Sequence, residues 1–150
     1  MMKDKGVYLV ADIYNDDYIL SEYSKKGFPE KIMNKERIVG KQQRQNFQKA
    51  VTAGVKIAYR TDAGIYPHVW NGKQFYYMVK FGLTPMQVIQ SATINAADPL
   101  DWKDRTGSIT KGKLADIIAV KGNPLHDVTI LEHVKFVMND NTVYKNEVHK

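Results

Sequence analysis

The chain has 150 residues, no cysteine and a net charge of +6, with 43% hydrophobic and 25% charged residues. This composition excludes a disordered chain, a collagen-like repeat and a disulfide scaffold, and with them cysteine nucleophiles and Cys-based zinc sites. Only four of the 22 basic residues are arginines (Arg37, Arg44, Arg60 and Arg105) and the lysines are spread along the chain, so no nucleic-acid partner is expected.

Gly6-Val7-Tyr8-Leu9-Val10-Ala11 is a short apolar run without alternation, which predicts a strand buried on both faces, as in a parallel sheet. It is broken by Asp12, too early for a signal peptide, and no apolar run approaches the roughly 18 residues of a membrane span. No membrane partner is expected, and the lack of a visible targeting segment favours a cytoplasmic chain. Residues 12–28 read as a loop with some helix. Asn34 is placed to cap a helix that runs to about residue 53, with Gly54 at C′ and with Phe47 and Val51 on its buried face.

Gly54-Val55-Lys56-Ile57-Ala58-Tyr59 is the second strand, ending in the polar turn Arg60-Thr61-Asp62-Ala63-Gly64. Residues 71–81 predict a helix with Phe75, Met78 and Val79 on one face. Thr84-Pro85-Met86-Gln87 is a helix start with a capping box, and Met86, Ile89, Thr93 and Ala96 follow at helical spacing until Pro99. Beyond residue 105 the texture becomes β-prone. Short pieces at 107–109, 115–120 and 134–138 are separated by glycines, and 139–141 is a turn leading into a closing strand at 142–144. Two parallel strands do not close a sheet. They need partners elsewhere, in another copy or in a longer polypeptide.

Asp62 is the leading candidate for chemistry. It directly follows an apolar strand, where a carboxylate can bind a divalent metal or act as a general base; equally, it can cap the turn it sits in. His68, after Pro67, is either a substrate or metal contact or an exposed loop histidine. His126, His133 and His149 form no metal-ligand spacing with it, and no HxH, HExxH, G-x-S-x-G or phosphate-loop motif is present.

Thr61-Asp62-Ala63-Gly64 and Pro67-His68, preceded by Ala53-Gly54-Val55-Lys56-Ile57-Ala58, resemble the last barrel strand of the metal-dependent amidohydrolases, in the imidazolonepropionase-like and Xaa-Pro dipeptidase (prolidase)-like branch. In register with it, Gly82-Leu83-Thr84-Pro85-Met86, Ala92-Thr93 and Asn95-Ala96-Ala97 resemble the family's final barrel helix. Lys111-Gly112-Lys113-Leu114-Ala115-Asp116 and Gly122-Asn123-Pro124-Leu125 resemble its approach to a β-sandwich. The resemblance implies an α/β chain: the last two β/α units of a (β/α)8 barrel over residues 1–105, then part of a small composite β-sandwich over residues 106–150. It implies a hydrolase of amide or Xaa-Pro dipeptide C–N bonds, using one or two divalent metals, most often zinc. Asp62 is then a metal-site residue that takes the proton of the attacking water, and Tyr66, His68 and Tyr14 are candidates to contact a small amide or dipeptide-like substrate. The family's histidine and lysine or glutamate ligands have no counterpart in the sequence, and Arg60 stands where relatives carry glycine. The isolated chain is therefore expected to be inactive, completed by an N-terminal half or by a second copy. The alternative is a non-catalytic remnant or subunit.

Overall fold

A computed structural model describes residues 1–148; His149 lies outside the described residues. Its first half is strand, helix, strand, helix. β1 (Tyr8–Ala11) and β2 (Lys56–Tyr59) pair in parallel, with Leu9 opposite Ile57 and Ala11 opposite Tyr59. Between them run α1 (Asn15–Tyr18), which continues as a wider turn over Ile19–Tyr23, and the long α2 (Glu30–Thr52). After β2 come a 3₁₀ turn (His68–Trp70), α3 (Lys73–Lys80), α4 (Pro85–Ser91) and α5 (Ile94–Ala97). The tail is an antiparallel sheet of β3 (Ile117–Ala119), β4 (Phe136–Asn139) and β5 (Thr142–Asn146), with a second 3₁₀ turn (Val128–Glu132) before β4. Among the described residues no helix is long and apolar enough to cross a membrane.

Local chemistry explains most boundaries. α2 ends as its sequence demands: Gly54 takes φ +71°, and the N–H groups of Gly54 and Val55 bond the carbonyls of Val51 and Ala50, the paired bonds of a Schellman motif. Its start differs from expectation. The helix begins four residues before Asn34, after Pro29, whose carbonyl accepts from Ile32 and Met33. Proline fits a helix start because its missing N–H would have no partner there. Asn34 instead accepts a bond from Arg37 at 2.6 Å within the helix. The capping box at Thr84 and Gln87 forms as expected.

Three further expectations are corrected. β1 is covered on one face only: Leu9 packs on the core, while Val10, pointing the other way, is 48% exposed. The helix after Thr84 is broken and its buried face is shifted. Met86 is exposed and Val88 and Ser91 are buried, while Thr93, its hydroxyl bonded back to the Ile89 carbonyl, leaves helical geometry before α5. The piece at 107–109 is loop, not strand: Gly107 takes φ +86° and lies so close to the Thr93 carbonyl that a Cβ there would sit 3.0 Å from its oxygen. The final hairpin turns through Asp140 and Asn141, both at positive φ, and Asp116 accepts from Asn139 Nδ2 and the Asp140 N–H to hold it. Those bonds, the one from Asp140 first, keep the Asp116 carboxyl below its usual range.

One core lies between the paired strands and α2, α3 and α4. Ile13, Phe47, Met78 and Val88 are at its centre, and Val128 joins it from the tail. A second, aromatic cluster of Tyr14, Tyr18 and Tyr66 lies near the strands' C-terminal ends.

Candidate functional site at the strand ends

β1 and β2 are parallel and in register, so the segments that leave them emerge side by side. Residues 12–14 follow β1 and residues 60–62 follow β2. Gln74, on α3 and completely buried, ties these segments together. Its Oε1 accepts from the Ile13 N–H at 3.1 Å, and its Nε2 donates to the carbonyls of Ala11 at 3.0 Å and Arg60 at 2.8 Å. Asp12 is fixed in turn, accepting from Asn15 Nδ2 at 2.8 Å on its side chain and from Gln43 Nε2 at 2.6 Å on its carbonyl.

On this platform Asp62 takes φ +51°, a left-handed conformation that aspartate tolerates better than most side chains. Its carboxylate is 46% exposed and pairs with Arg60, whose Nη2 donates to Oδ1 at 2.5 Å. Tyr66 is 3% exposed and donates its hydroxyl to the Thr61 carbonyl at 2.8 Å, bracing the turn that carries Asp62. Burial pushes its phenol up. Tyr14 meets Tyr66 edge-on at 5.0 Å and is raised by burial to about 12. Both phenols are therefore neutral near pH 7. His68 is exposed and opens the first 3₁₀ turn. It lines a 410 Å³ cavity with Asn71, Glu132, His133 and Lys135, a set that does not include Asp62. Asp62 and Tyr66 are thus brought onto one turn, and His68 faces a different hollow.

The residues present do not by themselves fit a divalent metal. A protein-bound zinc takes about four ligands. Among the described residues no group of three or more His, Asp or Glu side chains is placed to hold an ion, and the Asp62 carboxylate is engaged by a cation of the protein's own.

Chemically, then, the chain presents an exposed carboxylate on a rigid turn at the end of a parallel strand. The order of segments that builds this turn also matches known proteins: residues 1–146 match the Amidohydrolase family. The chain belongs to the amidohydrolase family. It is 45% identical to a Xaa-Pro dipeptidase whose crystal structure holds methionine in the active site, with a TM-score of 0.88 over 97% of this chain and 36% of that one. It is 30% identical to the ochratoxinase of Aspergillus niger over 141 residues, 91% of this chain and 28% of the relative. It is 37% identical over 75 residues, 47% of this chain and 18% of the relative, to an imidazolonepropionase of Fusobacterium nucleatum. This amidohydrolase chain therefore spans about a third or less of the length of these relatives.

Sequence reasoning missed Gln74. Its signal was a polar residue four positions before Met78, on the apolar face of α3. It also missed Asp16, which is 5% exposed, and Gly40, whose lack of a side chain makes room for it.

Proposed function

We propose that this chain supplies the C-terminal part of a hydrolase that opens amide C–N bonds, Xaa-Pro dipeptides foremost among them. In this reading β1 and β2 are the last two strands of a (β/α)8 barrel within residues 1–105, and residues 106–150 are part of a composite β-sandwich. The observation that carries it is Asp62, an exposed carboxylate on a braced left-handed turn directly after β2. Parallel α/β barrels bear their chemistry at this end of their strands.

The part this chain plays is a proton transfer. The Asp62 carboxylate takes the proton of the water that attacks the amide carbonyl carbon, and that proton passes to the nitrogen that leaves when the C–N bond breaks. Family membership favours a divalent metal, one or two ions with zinc foremost, and its other ligands would come from outside these 150 residues. Tyr66 holds the turn and, with Tyr14 beside it, is the proposed contact to a small amide or dipeptide substrate. The 45% identity to a Xaa-Pro dipeptidase supports a dipeptide as the substrate.

The test is turnover of an Xaa-Pro dipeptide by a polypeptide that joins this chain to the rest of the barrel. Asp62→Asn should lower kcat by about 10²–10⁴-fold, the span expected for losing a general base, with no change in thermal stability. Near-normal turnover in the variant removes Asp62 from the reaction.

A second reading, a subunit that assembles without catalysis, is favoured by a separate feature. An apolar hollow of 610 Å³, lined by Ile89, Leu100, Trp102, Ile109 and Ile118 among others, lies open between α4, α5 and β3. Size-exclusion chromatography distinguishes it: a well-folded monomer counts against assembly.

A further inference from the structure

The carboxylate at the end of β2 is already engaged. Arg60 and Asp62 flank Thr61 in the turn that follows β2, and the left-handed backbone at Asp62 leaves its carboxylate within reach of the guanidinium. The bond from Arg60 Nη2 to Asp62 Oδ1 is 2.5 Å long. The base of the arginine is fixed, because its carbonyl is held at 2.8 Å by the fully buried Gln74. The neighbouring strand end adds a second negative charge. The guanidinium is held further above its usual range by its bond to Asp62 first and then by the field of Asp12. The carboxylate that contacts the arginine is that of Asp62, and the arginine carries its charge at every working pH.

We infer that Arg60 is a tethered counter-cation that occupies the Asp62 carboxylate in the place a metal ion would take, so that a cation entering at this strand end must first displace it. The inference rests on the reading of Asp62 as the functional carboxylate and adds a control on access to it. Exposed ion pairs are weak. Arg60 therefore yields to a site that offers an ion several ligands, and turns away an ion that finds Asp62 alone. A divalent cation near Asp62 meets both a competitor for the same oxygen and a repelling charge.

The experiment needs no turnover. The ¹⁵N-labelled chain is titrated with MnCl₂, and paramagnetic broadening is followed at the amides of residues 61–63. Wild type should show little site-specific broadening. Arg60→Ala should bind Mn²⁺ there about five- to tenfold more tightly, the size expected for losing one exposed pair and one like charge. Arg60→Lys, which keeps the charge, should stay within about twofold of wild type. The Ile13 amide, bonded to Gln74, reports whether each variant keeps the fold. If Arg60→Ala loses it, Arg60→Gln carries the same comparison with the stem retained. Equal broadening in wild type and the neutral variant overturns the inference, as does a lysine that behaves like alanine. Failure of the catalytic reading would show in the Asp62→Asn turnover and leave this binding comparison intact.

Discussion

Replacing Gln74 by methionine keeps the length and nearly the volume of the side chain while deleting its polar atoms. The Ile13 N–H and the Ala11 carbonyl then lose their partner in a buried setting, at bonds of 3.1 and 3.0 Å. A buried polar group stripped of its partner costs about 1–3 kcal/mol, so two of them cost about 2–6 kcal/mol. The Arg60 carbonyl, only partly buried, can turn to water and adds little. Volume-conserving swaps cost under about 1.5 kcal/mol on their own, so most of the loss is due to the orphaned groups. Against a typical total of about 5–15 kcal/mol this is a large fraction. Urea unfolding of Gln74→Met should show a midpoint drop at unchanged slope, and exchange of the Ile13 amide should accelerate. A loss below about 1 kcal/mol with Ile13 still protected would refute the role given to Gln74 in joining the strand ends.

Asp16 gives a pH test: burial first, against the opposing pull of Arg44, raises its carboxyl from 3.8 to about 6. Because the folded value lies above the unfolded one, the native state binds the proton more tightly, and Asp16 destabilises the fold above pH 6 and is relieved as pH falls toward 4. Unfolding free energies of wild type and Asp16→Asn should therefore diverge by about 2 kcal/mol in favour of wild type between pH 7.5 and 4.5, and a flat difference contradicts the burial argument. Gly40→Ala should destabilise by about 1–3 kcal/mol although alanine is the better helix former, since the new Cβ would lie 2.7 Å from that of Asp16; a higher melting temperature would sink this reasoning. Thr84→Ala should cost about 1 kcal/mol by removing the acceptor of the Gln87 N–H, measurable by thermal melting.

What the sequence revealed and what it hid divide along a physical line. The strands, the Gly54 terminus of α2 and the Thr84 capping box depend on local chemistry, and local chemistry is written in neighbouring residues. The place of Asp62, in a polar turn directly after an apolar strand, was legible because strand and turn are short local patterns. The start of α2 was misplaced because Asn34 satisfies its side chain inside the helix, through Arg37, rather than by capping. The break at Thr93 and the loop at Gly107 arise from each other's proximity across 14 residues, which no window of sequence displays. Gln74 and the Asp16–Gly40 contact join residues that are 61, 63 and 24 positions apart or nearly so in the chain, and only the folded chain brings them together. Arg60 stood out in the sequence as a departure at the turn; its grip on Asp62 became visible in three dimensions.

The central claim is that this amidohydrolase chain supplies one functional carboxylate and not a metal centre of its own. Elemental mass spectrometry of the purified chain, after loosely held ions are removed, tests it most directly. The account predicts essentially no retained metal. One or two tightly bound ions per chain would contradict it.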